Sequence, residues 1–140
     1  MFPETAHFSE TEFLGEGSLG RAYLAVDEES SAVVVVRVLP PAAPWATYRL
    51  QSEFGTLQGL SHRNLVPMLA LHDEQEPWFV TMPAIEGSDL TTWRKTHPGF
   101  PALREVLVQL THGLMALHSS GLTHRTLCLL YTSDAADEWI

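Results

Sequence analysis

The stretch Leu14-Gly15-Glu16-Gly17-Ser18-Leu19-Gly20-Arg21-Ala22-Tyr23 constrains this chain more than any other. Its three glycines lie between two runs in which apolar residues alternate. A glycine has no Cβ, so backbone N–H groups there can crowd against an anion, which makes the stretch a candidate phosphate cradle. A dinucleotide-binding turn needs a helix opening at the last glycine. Here Tyr23-Leu24-Ala25-Val26-Asp27 continues as a strand, and a polar turn leads into the apolar run Val33–Leu39. The glycines therefore cap a β-hairpin.

Alternation predicts the first strand over Phe8–Leu14 and its antiparallel return over Arg21–Val26. Val33–Leu39 is apolar on both faces, as a strand buried on both sides requires, and Pro40-Pro41 closes it. A helix is expected over Trp45–Leu60, with Leu50, Phe54 and Leu57 on one stripe and Gly55 as a weak point. Glu53 lies beside that stripe, where a carboxylate requires a cationic partner. Two further strands, Met68–His72 and Trp78–Met82, flank a polar turn. Ser88 or Asp89 can cap a short helix running through Lys95. The longest helix follows: Leu103, Leu107, Leu110, Leu114 and Leu117 keep helical spacing, Pro101 suits its first turn and Gly121 its stop.

Composition narrows the classes. An apolar fraction of 45% with 18% charged residues describes a globular chain with its own core. No apolar run is long enough to cross a bilayer and no signal peptide is evident at Met1-Phe2-Pro3-Glu4, so a cytoplasmic setting is expected. The net charge of −9 leaves no basic patch for nucleic acid. Cys128 is the only cysteine, and His112, His118 and His124 lack the spacing and carboxylate of a metal set, so no metal site is expected within these residues. His62 reads as structural, and Trp45, Trp78 and Trp93 as packing residues. Cys128–Glu138 back-translates onto a transposon-type sequencing-library adapter, so 128–140 reads as an assembly scar and the native sequence is expected to stop near Leu127. Sequencing the source DNA through this junction tests that expectation, and the same tail in the genome would refute it.

Taken in order, a glycine-capped hairpin, a buried strand ending in a cation, a helix with an inward Glu, two strands, a crossover and a long helix resemble the protein-kinase fold. The resemblance is strongest to the bacterial serine/threonine kinases. It covers about Phe8 to Leu127 and implies an α+β fold: a five-stranded antiparallel N-lobe sheet with one helix, then the first helices of the C-lobe. The implied boundaries are an N-lobe over 8–82, a hinge over 83–87 and the start of the C-lobe over 88–127.

The resemblance also implies roles. Gly15, Glu16, Gly17, Ser18, Leu19 and Gly20 would cradle the phosphates of ATP, and Ala22 takes the place of the family's valine over adenine. Val34-Val35-Val36-Arg37 matches V-A-I-K, with Arg37 in place of the lysine that pairs with the helix glutamate, here Glu53. Arginine can form that pair in a bidentate way, but its planar fork is bulkier than an ammonium. Met82 matches the gatekeeper and Pro83-Ala84-Ile85 the hinge, where Ile85 supplies the N–H for adenine. His124-Arg125-Thr126 stands at the H-R-D catalytic loop, with Thr126 in place of the aspartate base. A threonine hydroxyl cannot act as a carboxylate base near pH 7. The metal-binding Asn, the D-F-G triplet and the activation segment do not occur within these 140 residues. Two functions are therefore open: an ATP- and Mg²⁺-dependent serine/threonine kinase in the intact parent, or a pseudokinase that serves as a nucleotide-binding or scaffolding module. The protein substrate or regulatory partner is not specified by these residues.

Overall fold

The computed structural model describes residues 2–3, 7–17, 20–41 and 44–122, without the side chains of residues 44, 46 and 47. The chain runs β1 (Phe8–Gly17), β2 (Gly20–Asp27), β3 (Val33–Val38), α1 (Pro44–Gly59), β4 (Ala70–His72), β5 (Phe79–Pro83), α2 (Leu90–Thr96) and α3 (Phe100–Ser119). The strands form one antiparallel sheet in the order β1-β2-β3-β5-β4. Five strands and one intervening helix are thus present as the sequence pattern predicts. The fourth strand is shorter than the expected Met68–His72, although the Leu69 N–H still donates to the Thr81 carbonyl at 2.9 Å.

Strand alternation sorts the core onto the two faces of the sheet. Ala22, Val35, Val80 and Met82 face α1 and enclose Phe54, with Leu14, Leu24, Val66 and Met68 packed around them. Tyr23, Ala25, Val34, Val36, Val38 and Phe79 form a second cluster on the opposite face, against Phe2 and Phe8. The valine run of β3 therefore feeds both clusters. Strand twist curls the sheet. Its two edges approach each other, and the Phe8 ring of β1 meets His72 of β4 edge-on at 5.4 Å.

The β2–β3 turn is tied by Asp27, whose carboxylate accepts from the Glu29 N–H at 2.9 Å and the Ser30 N–H at 3.5 Å. The Glu29 N–H is the main cause that holds the Asp27 carboxyl below its ordinary range. A depressed folded pKa means the turn gains from the carboxylate above the unfolded pKa and loses that gain as pH falls through the folded value. The Glu29 amide resonance is expected to titrate with Asp27, at a pH below that of an ordinary aspartate.

Helix α1 meets the sheet through Phe54, while Leu50 and Leu57 are only half-buried. Trp45 is a correction: it is 71% exposed, like Tyr48 at 74%, because α1 packs on the sheet through Phe54 in its C-terminal half. Gly55 is exposed, and a Cβ built there meets nothing within 4 Å. Gly55→Ala is therefore expected to stabilise the protein by about 0.5–1 kcal/mol, read as a raised denaturation midpoint.

Asp89 caps α2 by accepting from the Thr92 N–H at 2.6 Å. Arg94 then donates to the His97 and Gly99 carbonyls, each at 2.8 Å, and fixes the bend into α3. Trp93 stacks on His97 at 4.4 Å, as a packing residue should. Helix α3 has Pro101 in its first turn, and Gly121 follows it with φ +81°. Its buried residues are Gly113 and Leu117, whereas Phe100, Leu107, Val108 and Met115 are exposed. A Cβ at Gly113 would lie 2.8 Å from the Asn64 carbonyl, so this glycine lets the turn after α1 dock on α3. His62 serves that turn structurally, since its Nδ1 accepts from the Asn64 N–H at 3.0 Å.

Candidate functional site

The α1-facing side of the sheet brings together most of the residues that the sequence singles out. Ala22 pairs with Arg37 across β2 and β3, and Arg37 pairs with Val80 of β5. One step along, Leu24 pairs with Val35 and Val35 with Met82. Ala22, Val35 and Met82 are completely buried and belong to one cluster. Two residues join this face without an expected role, Leu14 and Val35. Leu14 immediately precedes the first glycine and packs against the cluster. A register shift between Phe13 and Gly15 lets it turn inward.

The glycine hairpin closes one end. Gly15 pairs with Ala22, Glu16 with Arg21 and Gly17 with Gly20, so β1 and β2 stay paired to the last described residue on each side. Glu16 and Arg21 form an exposed ion pair at 3.3 Å across the hairpin. Tyr23 first and Glu16 second hold the Arg21 guanidinium above its ordinary range. Gly20 has φ +100°, and a Cβ there would fall 1.9 Å from the Val38 carbonyl oxygen. The third glycine is thus required by β3, independently of any anion. Ser18 and Leu19 lie outside the described residues.

Arg37 is buried at 1% exposure, the largest fully buried side chain among the described residues. Its Nε and Nη2 have no hydrogen-bond acceptor there, although the residue is engaged in an interaction of its own. Glu53 sits on α1 and accepts from Arg49 Nε at 3.0 Å, one turn earlier on the same helix. Arg49 is thus one cationic partner for the carboxylate, a partner that i,i+4 spacing makes readable in sequence.

At the other end β5 runs out through Met82 and Pro83, which pairs with Val34. The Ala84 N–H donates to the Val33 carbonyl at 3.4 Å, and Ile85 follows, 44% exposed. His124, Arg125 and Thr126, like the segment 128–140, lie outside the described residues.

A curled five-stranded antiparallel sheet with one helix on its face, followed by a linker into two helices, has the architecture of a kinase N-lobe and the beginning of the C-lobe. The chain belongs to the protein kinase family, matching the protein kinase domain over residues 8–128. Its relatives are serine/threonine kinases. It is 30% identical over 117 residues to serine/threonine-protein kinase PknD of Mycobacterium tuberculosis, a match covering 80% of this chain and 18% of that protein. It is 27% identical over 117 residues to serine/threonine-protein kinase Pkn1 of Myxococcus xanthus, covering 81% and 17%. With serine/threonine-protein kinase cds1 of Schizosaccharomyces pombe it shares 26% identity over 133 residues, covering 89% and 29%. The chain thus spans less than a third of the length of each of these relatives. No helix among the described residues is long and apolar enough to cross a membrane.

Proposed function

We infer that this domain binds ATP between the glycine hairpin and the linker after β5. The observation that carries the reading is the row of side chains Ala22, Val35 and Met82 on one face, between the hairpin at one end and Pro83–Ile85 at the other. Ala22, Val35 and Met82 are fully buried, so this face would have to open for them to wall the adenine, while the Ile85 N–H would meet its edge and the amides of Gly15, Gly17 and Gly20 would face the phosphates. Glu53 would pair with Arg37 to brace the lobe, and Mg²⁺ would enter with the nucleotide only in an intact parent. The residue boundaries of N-lobe, hinge and C-lobe at 8–82, 83–87 and 88–127 belong to the same reading, as do an adapter origin of residues 128–140 and a cytoplasmic setting.

Bound ATP supplies the transferable phosphoryl group, and this chain's residues position it. Serine/threonine phosphotransfer by the intact parent is one outcome. A pseudokinase is the other, and two features favour it. Arg37 is enclosed within the lobe, so its guanidinium would have to emerge before it could touch a phosphate. Thr126 provides no carboxylate to accept the proton of a substrate hydroxyl. The domain of the full gene should therefore transfer no phosphate from ATP to a generic protein substrate. Activity in the unmodified protein would refute the pseudokinase reading. The variant pair Thr126→Asp with Arg37→Lys, assayed beside it, is expected to gain activity.

A further inference from the structure

The face of the sheet opposite α1 carries a cavity of about 630 Å³, open to solvent, at the end where the sheet edges approach each other. Its floor is apolar and aromatic. Phe79 and Val34 are buried there, and the Phe79 ring stacks on His72 at 4.4 Å with the planes 9° apart. Phe8 closes the stack from the side, edge-on to Phe79 at 5.9 Å. The rim is acidic: Asp27 and Glu29 come from the β2–β3 turn and Glu74 from the β4–β5 turn. Among the described residues, no lysine or arginine lines the cavity. Among the described lining residues the basic side chains are His7, whose Nδ1 lies 3.3 Å from a Glu29 carboxylate oxygen, and His72 in the ring stack.

We propose that this groove docks an arginine-bearing peptide segment of a protein partner, held by the aromatic floor and the acidic rim. Charge complementarity selects a cation, since three carboxylates line the rim with no lysine or arginine among the described lining residues. Phe79 is buried under His72, so the rings a cation can reach are those of half-buried His72 and Phe8, and a flat ring favours arginine over lysine. A guanidinium is planar and weakly hydrated, so it can lie on an aromatic face while its N–H groups reach carboxylates on the rim. The apolar walls favour a segment that places aliphatic residues beside the arginine. Docking here leaves the α1-facing side of the sheet clear, so it is independent of nucleotide binding.

The test is a titration of the full chain with an acetylated, dye-labelled peptide of alternating arginine and leucine, read by fluorescence anisotropy and by amide chemical shifts. Saturable binding with shifts centred on residues 72–75 and 27–29 is expected. Glu29→Gln combined with Glu74→Gln, both exposed turn positions, should weaken that binding by about tenfold or more. Replacing arginine by citrulline in the peptide should weaken it similarly. Absence of binding by the folded chain would overturn the proposal. So would equal affinity for the citrulline peptide, an unchanged affinity of the double variant, or shifts spread over the acidic surface at large.

Discussion

Gly20→Ala is expected to destabilise the domain by about 3 kcal/mol or more, because strain and collision act at the same atom. The backbone at Gly20 has φ +100°, where an L side chain is strained, and the added methyl would sit 1.9 Å from the Val38 carbonyl oxygen. Neither side can yield cheaply. Val38 is held in β3 between Arg21 of β2 and Phe79 of β5, so moving its carbonyl disturbs both neighbouring ladders. A urea titration followed by circular dichroism should show a much lower midpoint for the variant. An unchanged midpoint would mean that the β2–β3 register is wrong at this end. The expected loss is present without nucleotide, which separates the structural demand for this glycine from any role of the hairpin toward phosphates.

The second large effect is expected at Phe54. It is the buried residue of α1 in the α1-facing cluster, enclosed by Ala22, Val35, Val80 and Met82. Phe54→Ala should cost about 3–5 kcal/mol, the range for removing an aromatic ring from a packed core. That is a large share of the 5–15 kcal/mol that holds an ordinary domain together. The loss should be uneven. Amide exchange over α1 should accelerate first, since Leu50 and Leu57 are only half-buried and cannot keep the helix docked. Phe54→Leu keeps most of the contact and should cost far less. Equal exchange rates in α1 for wild type and Phe54→Ala would show that the helix is anchored elsewhere.

These two positions mark what sequence alone could and could not disclose. Phe54 was readable because helical period places it on the stripe, whereas the common face of Ala22 and Val35 comes from the register of β2 on β3, which local alternation does not carry. The glycine hairpin was readable because strands follow on both sides of it. The steric reason for Gly20 was not, since its partner Val38 is eighteen residues away and enters only through the register of β2 on β3. Gly113 was hidden in the same way. A glycine inside a long helix looks like a defect until Asn64 is found against it. Trp45 was misread because burial of an aromatic side chain depends on which half of α1 docks, and local period does not say. The meeting of Phe8 with His72 comes from the curl of the whole sheet, which no local pattern carries.

The same contrast applies to the site. Cross-strand pairing brings Arg37 between Ala22 and Val80, and its complete burial is a property of the packed lobe. A cation enclosed in this way is suited to bracing the sheet against α1 and less suited to meeting a phosphate. On the proposed function the double departure at Arg37 and Thr126 is coherent: the glycine hairpin and the linker would hold a nucleotide, while the residues at the positions of the lysine and the aspartate base are altered.

The most direct test is calorimetric titration of the folded chain with ATP in the presence and absence of Mg²⁺. The proposed function predicts saturable binding at one-to-one stoichiometry, with adenosine competing because the apolar face and the Ile85 N–H recognise the base. Protein that is folded by circular dichroism yet takes up no ATP at saturating concentrations would contradict it.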